Sequence, residues 1–334
     1  MKLIYPVLTT AACAVALVTS PAQADDHNQA GLAEADIQEW AVPWEDTRPR
    51  DPWVHDGTVW FVGQAGNYVA TLDPETEEFK RYDIPEGAHP HTVIVDDRGA
   101  WYAGNLDEHI GLVDPQSGEV KQFPLPGGGT KDSHTMDFTR NGDIYFTVQN
   151  GNQLGFLDTQ SEQIMLWDVP TESARPYGLI VENDKPWATL FGTNKLATIE
   201  QGRLKEIELT REDNRPRRLA MASDGVIWYV DYNQGYVGSY NPDTGANQDW
   251  RAPGEINSRP YGMAIDKRDD VWFVETGMQP NRLVGFDTES KTFSEPMPIP
   301  SGGGTIRHMY YDESTDAIWF GTDADTVGVI KLTP

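Results

Sequence analysis

Cysteine is almost missing from this 334-residue chain, in which Cys13 is the only one. It falls within the first 24 residues, which we predict to be removed as a signal peptide. The mature chain would then have no thiol with which to form a disulfide. Its fold must therefore depend on packing alone, even in a compartment where disulfides can form.

Basic residues are also scarce, with 26 Lys and Arg against 52 Asp and Glu and a formal net charge of −26. This acidity argues against nucleic acid or an anionic membrane surface as a partner. We expect the partner to be a small molecule or a cyclic, peptide-like substrate. We also expect the chain to be a monomer.

The long apolar run is confined to the N-terminus. It follows Lys2 and ends in the small-x-small sequence Ala22-Gln23-Ala24, which is typical of a secretory signal peptide. We predict a signal peptide over residues 1–24, export to the periplasm or the medium, and no membrane-spanning segment. Residues 25–35 would form a flexible lead-in.

Helical periodicity is not apparent after residue 24, and a repeat of short alternating strands takes its place. Its central aromatic residues are spaced 41 to 47 positions apart: Trp60, Trp101, Tyr145, Trp187, Trp228, Trp272 and Trp319. Turn residues flank each one, as in SDGVIWYVD. This pattern predicts an all-β, seven-bladed propeller over residues 36–334, with four antiparallel strands in each blade.

The ends of the repeat predict how the ring closes. The seventh repeat stops at Pro334 with only three strands, and residues 36–43 (DIQEWAVP) precede the first repeat as an unassigned strand. We expect this segment to supply the outer strand of blade seven. Such closure joins the two ends of the chain and protects the blade edges.

A short phrase recurs where each innermost strand should begin, and its second residue should line one mouth of the central channel. Alignment of the repeats gives seven such residues: Trp53, His91, His134, Tyr177, Arg217, Tyr261 and His308. Residues 127–136 (GGGTKDSHTM) and 302–311 (GGGTIRHMYY) place His134 and His308 at equivalent positions, which would face each other across the channel. Convergent polar side chains in a cavity predict a ligand site.

Arginines add positive charge to one arc of this mouth. Arg175, Arg215 and Arg259 each precede the proline of a blade phrase, and Arg217 and Arg307 flank the ring of channel residues. One interpretation is capture of an anionic group such as a carboxylate or sulfate. The alternative is salt bridging to nearby acidic loops.

The blade phrases resemble those of the streptogramin B lyase (virginiamycin B lyase) family. The resemblance rests on Pro-Tyr-Gly at 176–178 and 260–262, Trp-Phe-Val-Glu at 272–275, and Asn-Gln-Leu-Gly at 152–155. It extends from about residue 36 to 334. It implies a carbon–oxygen lyase that opens a cyclic depsipeptide by elimination, in which a histidine takes the proton beside the ester carbonyl and Mg²⁺ polarises that carbonyl.

By position, the resemblance places the general base on His308. The two glutamates that the family uses for its metal correspond to Ile306 and Thr322, and acidic residues at the latter position occur only in neighbouring blades, as Asp231 and Glu275. The resemblance implies Mg²⁺, for which Asp231 and Glu275 are the candidate ligands in this chain, whereas the histidines would suit Zn²⁺ or Cu²⁺.

Three functions remain open from the sequence. In the first, His308 is the base of a lyase acting on an ester, a lactone or a related C–O bond, while the other six channel residues and the arginines bind substrate. The second is a non-catalytic periplasmic ligand-binding or scaffold propeller. The third is a lactone hydrolase of the gluconolactonase type, which would need an acidic metal cluster in the channel.

Overall fold

The seven repeats form seven four-stranded antiparallel sheets arranged as the blades of a propeller. The structure, a computed structural model, describes Met1 and residues 31–333. The signal peptide and residues 25–30 of the lead-in lie outside the described residues, apart from Met1. Among the described residues no helix is long and apolar enough to cross a membrane.

The first four blades each contain four consecutive strands. Blade 1 consists of β2 (Pro49–His55), β3 (Thr58–Gly63), β4 (Tyr68–Asp73) and β5 (Glu78–Asp83). Blade 2 consists of β6 (Val93–Asp96), β7 (Gly99–Gly104), β8 (His109–Val113) and β9 (Val120–Pro124). Blade 3 consists of β10 (Ser133–Phe138), β11 (Ile144–Val148), β12 (Gln153–Asp158) and β13 (Gln163–Asp168). Blade 4 consists of β14 (Pro176–Glu182), β15 (Lys185–Leu190), β16 (Lys195–Glu200) and β17 (Arg203–Glu208).

The last three blades depart slightly from this plan. Blade 5 consists of β18 (Pro216–Met221), β19 (Ile227–Asp231), β20 (Tyr236–Tyr240) and β21 (Asn247–Arg251). A 3₁₀ turn (Glu255–Asn257) leads into blade 6, which has β22 (Pro260–Ile265), β23 (Val271–Glu275), β24 (Arg282–Asp287) and an outer strand in two pieces, β25 (Thr292–Phe293) and β26 (Met297–Pro298). Blade 7 has β27 (Met309–Asp312), β28 (Ala317–Gly321) and β29 (Thr326–Thr333).

The predicted closure is confirmed. An N-terminal strand, β1 (Glu34–Ala41), pairs antiparallel with β29 and completes blade 7. It begins two residues earlier than predicted, and Ala33 is already buried, so the lead-in is shorter than expected at this end. Trp40 of β1 stacks on Trp319 of β28 with ring centroids 5.8 Å apart, which adds apolar contact to the clasp.

The repeated aromatic lies on the second strand of every blade, and its six tryptophans are buried. The glycine of the Asn-x-φ-Gly phrase, in which φ is an apolar residue, has a packing reason. A Cβ on Gly155 would lie 2.1 Å from the ring of Phe146 on the neighbouring strand, so only glycine lets that ring lie across the strand. Asn152 of the same phrase bonds the carbonyl of Thr171 at 2.9 Å and accepts the backbone N–H of Arg175 at 3.1 Å. It thereby fixes the start of blade 4 against blade 3.

Candidate functional site

Strand register defines which residue of each blade stands at the channel mouth. In blade 4, Pro176 pairs with Leu190 and Leu179 with Ala188, which leaves a β-bulge that begins at Tyr177. Blades 3, 5 and 6 have a bulge that begins at the corresponding residue, which is His134, Arg217 or Tyr261. In blade 2 the backbone N–H of His91 donates to the carbonyl of Ala103 on β7, which places His91 at the same position. The structure thus brings five of the seven predicted residues to equivalent positions.

Blade 1 departs from the prediction, because the sequence Arg-Pro-Arg-Asp-Pro offers two prolines. Pro49 pairs with the last residue of β3, so Arg50 takes the channel position and not Trp53. Trp53 lies three residues farther along β2, towards the other end of the channel. It packs there against Tyr310 and Phe138, with ring centroids 4.7 and 6.0 Å away.

Blade 7 is offset by one residue from the alignment made on sequence. Met309 pairs with Phe320 just as Met136 pairs with Phe146, so Arg307 is the equivalent of His134. His308 is instead equivalent to the residue after His134. The two glycine phrases differ in length, since His134 follows Thr130 by four positions and His308 follows Thr305 by three. The expectation that the two histidines occupy the same position is therefore wrong.

A buried charge network fills the channel below the mouth. Asp51 is fully buried, with Arg50 Nε 2.9 Å from its Oδ1 and Arg218 Nη2 3.2 Å from its Oδ2. Burial opposes ionisation, but the two guanidinium groups outweigh it and hold the pKa of Asp51 well below its usual range. None of these three residues was predicted from the sequence, although the Arg-Asp and Arg-Arg doublets at the starts of the inner strands of blades 1 and 5 are a visible signal.

His91 belongs to this network and has both ring nitrogens engaged. Arg50 Nη2 lies 2.7 Å from His91 Nε2, which must accept because a guanidinium only donates. His91 Nδ1 then carries the hydrogen and donates to Thr92 Oγ1 at 3.1 Å, and Thr92 donates to Asp51 at 2.9 Å. Burial and the charge of Arg50 lower the pKa of His91 well below 6.5. Neither nitrogen is left for a metal or a substrate.

His134 is buried beneath the mouth beside His91, and the centroids of the two rings are 3.3 Å apart. Its Nδ1 lies 3.0 Å from Thr135 Oγ1, which also accepts from Arg218 at 3.0 Å. Burial and Arg218 lower the pKa of His134 well below 6.5. Two neutral imidazoles in contact and tilted by 36° to each other are typical of a packed interior more than of a metal site.

His308 differs from the other two channel histidines. It is only half-buried, and its Nδ1 is sequestered with no hydrogen-bond partner in the described part of the chain. Burial and the nearby charge of Arg218 lower its pKa to about 3, against the opposing influence of Asp51. The ring is therefore neutral at neutral pH and has a nitrogen that nothing in the network uses.

The hydroxyl groups of Tyr177 and Tyr261 contact each other beneath Arg217, whose guanidinium carbon lies 3.6 Å from the Tyr261 ring centroid. Burial alone would raise the pKa of both phenols. The positive charges of Arg217, Arg218 and Arg50 outweigh the effect of burial for one of the two phenols. The pKa of Tyr177 is therefore lowered, while that of Tyr261 is raised. The first of the two phenol protons is therefore lost more readily than the proton of an ordinary tyrosine.

The predicted arginines divide into two groups. Arg307 forms an ion pair with Asp323, and Arg215 donates to the carbonyls of Glu212 and Asn214 at 3.0 and 2.6 Å. The salt-bridge interpretation therefore holds for Arg307, whereas the Arg215 side chain bonds backbone carbonyls. Arg175, Arg217 and Arg259 have no carboxylate oxygen within 4.0 Å in the described part of the chain. Sequence analysis missed two aromatic residues between them, Phe191 and Tyr232, which directly follow second strands.

The two carboxylates assigned to a metal are occupied by other partners. Asp231 Oδ2 lies 2.6 Å from Arg211 Nη2, and its Oδ1 accepts the backbone N–H of Arg215 at 3.0 Å. Glu275 accepts from Arg282 Nε at 2.9 Å and from the backbone N–H of Gly254 at 2.5 Å. They belong to different blades, and residues 31–333 contain no group of three His, Cys, Asp or Glu side chains placed to hold a metal ion.

The positions of the family's metal carboxylates are no more suitable. Ile306 is fully buried, and its carbonyl accepts from the backbone of Gly262 at 3.1 Å. The hydroxyl of Thr322 lies 2.8 Å from that of Thr326 and caps the following turn. Ile306 has no oxygen in its side chain, and the Thr322 hydroxyl is already bonded within its own turn. These two positions therefore do not fit Mg²⁺, which requires several oxygen ligands free to coordinate it.

A separate cavity of about 520 Å³ opens on the opposite face of the propeller. The turns after the inner strands of blades 1 to 3 line it, with His55, Asp97, Arg98 and Arg140 among its residues. It contains none of the predicted site residues. Its lining is charged and open to solvent.

Comparison with known proteins supports the family resemblance. Residues 25–186 match the model of the virginiamycin B lyase family. A solved structure of virginiamycin B lyase from Staphylococcus aureus superposes with a TM-score of 0.80 at 23% identity, covering 90% of this chain and 100% of that one. A catalytically inactive His-to-Ala variant of the same enzyme, solved with quinupristin, gives the same values. The resemblance predicted from the blade phrases is confirmed.

The same propeller architecture also occurs in a protein of different function. Hydrazine synthase from Kuenenia stuttgartiensis superposes with a TM-score of 0.72 at 14% identity, covering 86% of this chain and 96% of that one. No curated protein matches this chain by sequence. At these identities the structural likeness establishes the fold, and the function must be argued from the site.

Proposed function

We propose that this chain is an exported carbon–oxygen lyase that eliminates across an ester or lactone C–O bond, with His308 as the proton acceptor. His308 would take the proton from the carbon next to the one that bears the ester oxygen, a proton made acidic by a second carbonyl group on the same carbon. The electron pair of that C–H bond would form a C=C bond, and the C–O bond would break with release of a carboxylate. No water is consumed, and the proton remains on the imidazole until solvent removes it.

The availability of His308 carries this proposal. His91 has both nitrogens engaged, and His134 is buried against it with Nδ1 beside Thr135. His308 alone among these three is half-buried, and neither of its ring nitrogens has a hydrogen-bond partner among residues 31–333. It is also the residue on which the base of the resembled family falls by position.

The arginines near His308 determine what kind of base it is. Arg218 donates to the carbonyl of Arg307, next to His308, at 3.0 Å, and its charge disfavours the imidazolium form. A base with a low pKa is weak, so the substrate proton must be made more acidic. Fixed guanidinium groups supply this effect because they stabilise the negative charge that develops on the carbonyl oxygen.

The proposed reaction contains no metal step. The carboxylates of Asp231 and Glu275 already bind arginines, and the nitrogens of His91 are engaged. The proposal therefore predicts turnover in the presence of a chelator. A lactone hydrolase of the gluconolactonase type is less well supported, because the described residues provide no acidic metal cluster.

A non-catalytic ligand-binding propeller is the second candidate. It is favoured by the replacement of the family's metal carboxylates with Ile306, which is buried, and Thr322, which bonds within its own turn. In that function the channel residues would hold a ligand and His308 would only contribute to affinity. The two candidates differ in whether any substrate is turned over.

The test is a turnover assay with a panel of cyclic depsipeptides and aromatic lactones, with and without a chelator. His308→Gln should lower the rate roughly 10²–10⁴-fold while the far-UV spectrum and unfolding midpoint stay close to those of the parent. His55→Gln, on the opposite face, is the matched control and should retain full activity. Absence of turnover across the panel would favour the binding function, and equal rates in both variants would show that His308 is not the base.

A further inference from the structure

A continuous row of alternating arginine and aromatic side chains crosses blades 4, 5 and 6 at the channel mouth. We call it the arginine–aromatic row, and it consists of Arg175, Phe191, Arg217, Tyr232 and Arg259. The guanidinium carbon of Arg217 lies 4.5 Å from the Phe191 ring centroid and 4.2 Å from that of Tyr232. Arg175 reaches Phe191 at 5.7 Å, and Arg259 reaches Tyr232 at 6.0 Å.

The three arginines of this row lack a carboxylate partner among residues 31–333, whereas other arginines at this face have one. Arg48, Arg211, Arg282 and Arg307 each form an ion pair with an Asp or Glu. The row has no carboxylate within 4.0 Å among residues 31–333, although acidic residues outnumber basic ones by two to one. Arg217 Nε is also buried with no hydrogen-bond partner among residues 31–333, a cost that a bound acceptor would remove.

The backbone holds the two outer arginines in an unfavourable conformation. Arg175 has φ 53° and Arg259 has φ 43°, in the left-handed region that disfavours bulky side chains. Arg48 and His89 share this conformation, so it is a property of the blade turn. Asn or Gly would suit such a turn better. Two exposed, unpaired arginines are nevertheless placed at the turns that flank the row.

Stacking defines what these guanidinium groups can bind. A guanidinium that lies over a ring uses its face for the aromatic contact and keeps its N–H edge for an acceptor. That edge matches both oxygens of a carboxylate. Phe191 and Tyr232 are each only half-buried, so part of each ring remains open to contact with a planar ligand group.

We propose that the arginine–aromatic row is a binding subsite for a planar aromatic ring that carries a carboxylate. The inference deepens the proposed lyase function by naming a chemical feature of its substrate, and it rests on that function only for the identity of the reaction. The carboxylate would lie against the arginine edges, and its ring would pack on Phe191 or Tyr232. The rest of the ligand would extend towards His308.

The experiment is calorimetric titration of the full mature chain with benzoate, benzamide and cyclohexanecarboxylate. Benzoate should bind at least roughly tenfold more tightly than either analogue, because benzamide lacks the charge and cyclohexanecarboxylate lacks the planar ring. Arg175→Gln and Arg259→Gln should each weaken benzoate roughly tenfold. Arg203→Gln is the control, since Arg203 is exposed on the outer strand of blade 4 and is not part of the row.

Equal affinity for benzoate and benzamide, or no effect of either row variant, would overturn the subsite. Equal affinity for benzoate and cyclohexanecarboxylate would overturn the claim that the subsite selects a planar aromatic ring. His308→Gln separates this proposal from the lyase function, because it should leave benzoate affinity within about twofold. Benzoate binding without turnover of any substrate would defeat the lyase function alone, and turnover without benzoate binding would defeat the subsite alone.

Discussion

Arg218 and Asp51 lie 167 positions apart in the chain, and Arg218 Nη2 approaches Asp51 Oδ2 to 3.2 Å across the central channel. The pair joins blade 5 to blade 1, and Arg50 completes it from the second side at 2.9 Å. A buried carboxylate between two guanidinium groups stabilises the fold only while all three charges are present. It also supplies the positive field that acts on every histidine of the channel.

Removing the central carboxylate should therefore destabilise the whole ring. Asp51→Asn leaves two buried guanidinium groups without a counter-charge, and we expect a loss of about 3–5 kcal/mol in the free energy of unfolding. Urea unfolding followed by tryptophan fluorescence measures it. Asp56→Asn is the control, because that side chain is 92% exposed at the end of the same hairpin. A loss below about 1 kcal/mol would show that the network does not hold the channel together.

The architecture could be predicted because a propeller repeats its sequence pattern in every blade. The spacing of Trp60, Trp101 and their equivalents reports strand periodicity directly, and the unmatched strand around Trp40 identified the closure. The site is harder to predict because one residue of register decides which side chain faces the channel. The paired prolines Pro49 and Pro52, and the shorter phrase before His308, each shifted the alignment.

Charge pairing across the channel could not be predicted from the sequence either. The contact of Arg218 with Asp51 depends on how blades 5 and 1 meet, which no local pattern records. The same holds for the lack of a carboxylate oxygen within 4.0 Å of Arg217 among residues 31–333. The sequence left both salt bridging and anion capture open for all the predicted arginines. The structure distinguishes the arginine with an ion pair, Arg307, from those without one, such as Arg217, among residues 31–333.

The clasp makes a second prediction about stability. Trp40→Ala removes the stacking on Trp319 and should cost about 3–5 kcal/mol. Deleting residues 31–42 should lower the unfolding midpoint further, since it also removes the pairing of β1 with β29. Differential scanning calorimetry measures both, and Gln38→Ala, exposed on the same strand, should behave like the parent. An unchanged midpoint in the deletion would mean that β1 does not close the ring.

Stability should fall in mild acid because of the channel histidines. His91, His134 and His308 have pKa values in the folded state below 6.5, the usual value that they regain on unfolding. Below pH 6.5 the unfolded chain therefore binds more protons than the folded one, so stability decreases as the pH falls, by up to about 1.4 kcal/mol per pH unit for each histidine. Above pH 7 these residues contribute no slope.

The measurement is the free energy of unfolding between pH 4.5 and 8 in His134→Gln and the parent. The variant should have a shallower slope between pH 4.5 and 6.5, after any constant offset is subtracted. Gln38→Ala, which changes an exposed side chain that does not titrate, should keep the slope of the parent. Parallel curves for His134→Gln and the parent would show that His134 is protonated in the folded protein.

Export is a prediction that concerns residues mostly outside those the structure describes. The apolar run and the Ala22-Gln23-Ala24 sequence should direct secretion, with cleavage after Ala24. Intact-mass spectrometry of the protein from a bacterial periplasm should give a chain that starts at Asp25. Replacing Ala22 and Ala24 with bulky residues should block processing. A mature protein that retains residues 1–24 would contradict the prediction.

The pH dependence of turnover tests the role of His308 most directly. A general base must be unprotonated, and burial together with Arg218 lowers the pKa of His308 to about 3. As the pH falls, kcat/KM should therefore persist through the range near 6.5, where an ordinary histidine base loses activity. The assay is run at each pH on protein whose tryptophan fluorescence shows that the fold is intact. A fall in kcat/KM centred near pH 6.5 in folded protein would assign the proton transfer to a group other than His308 in this environment.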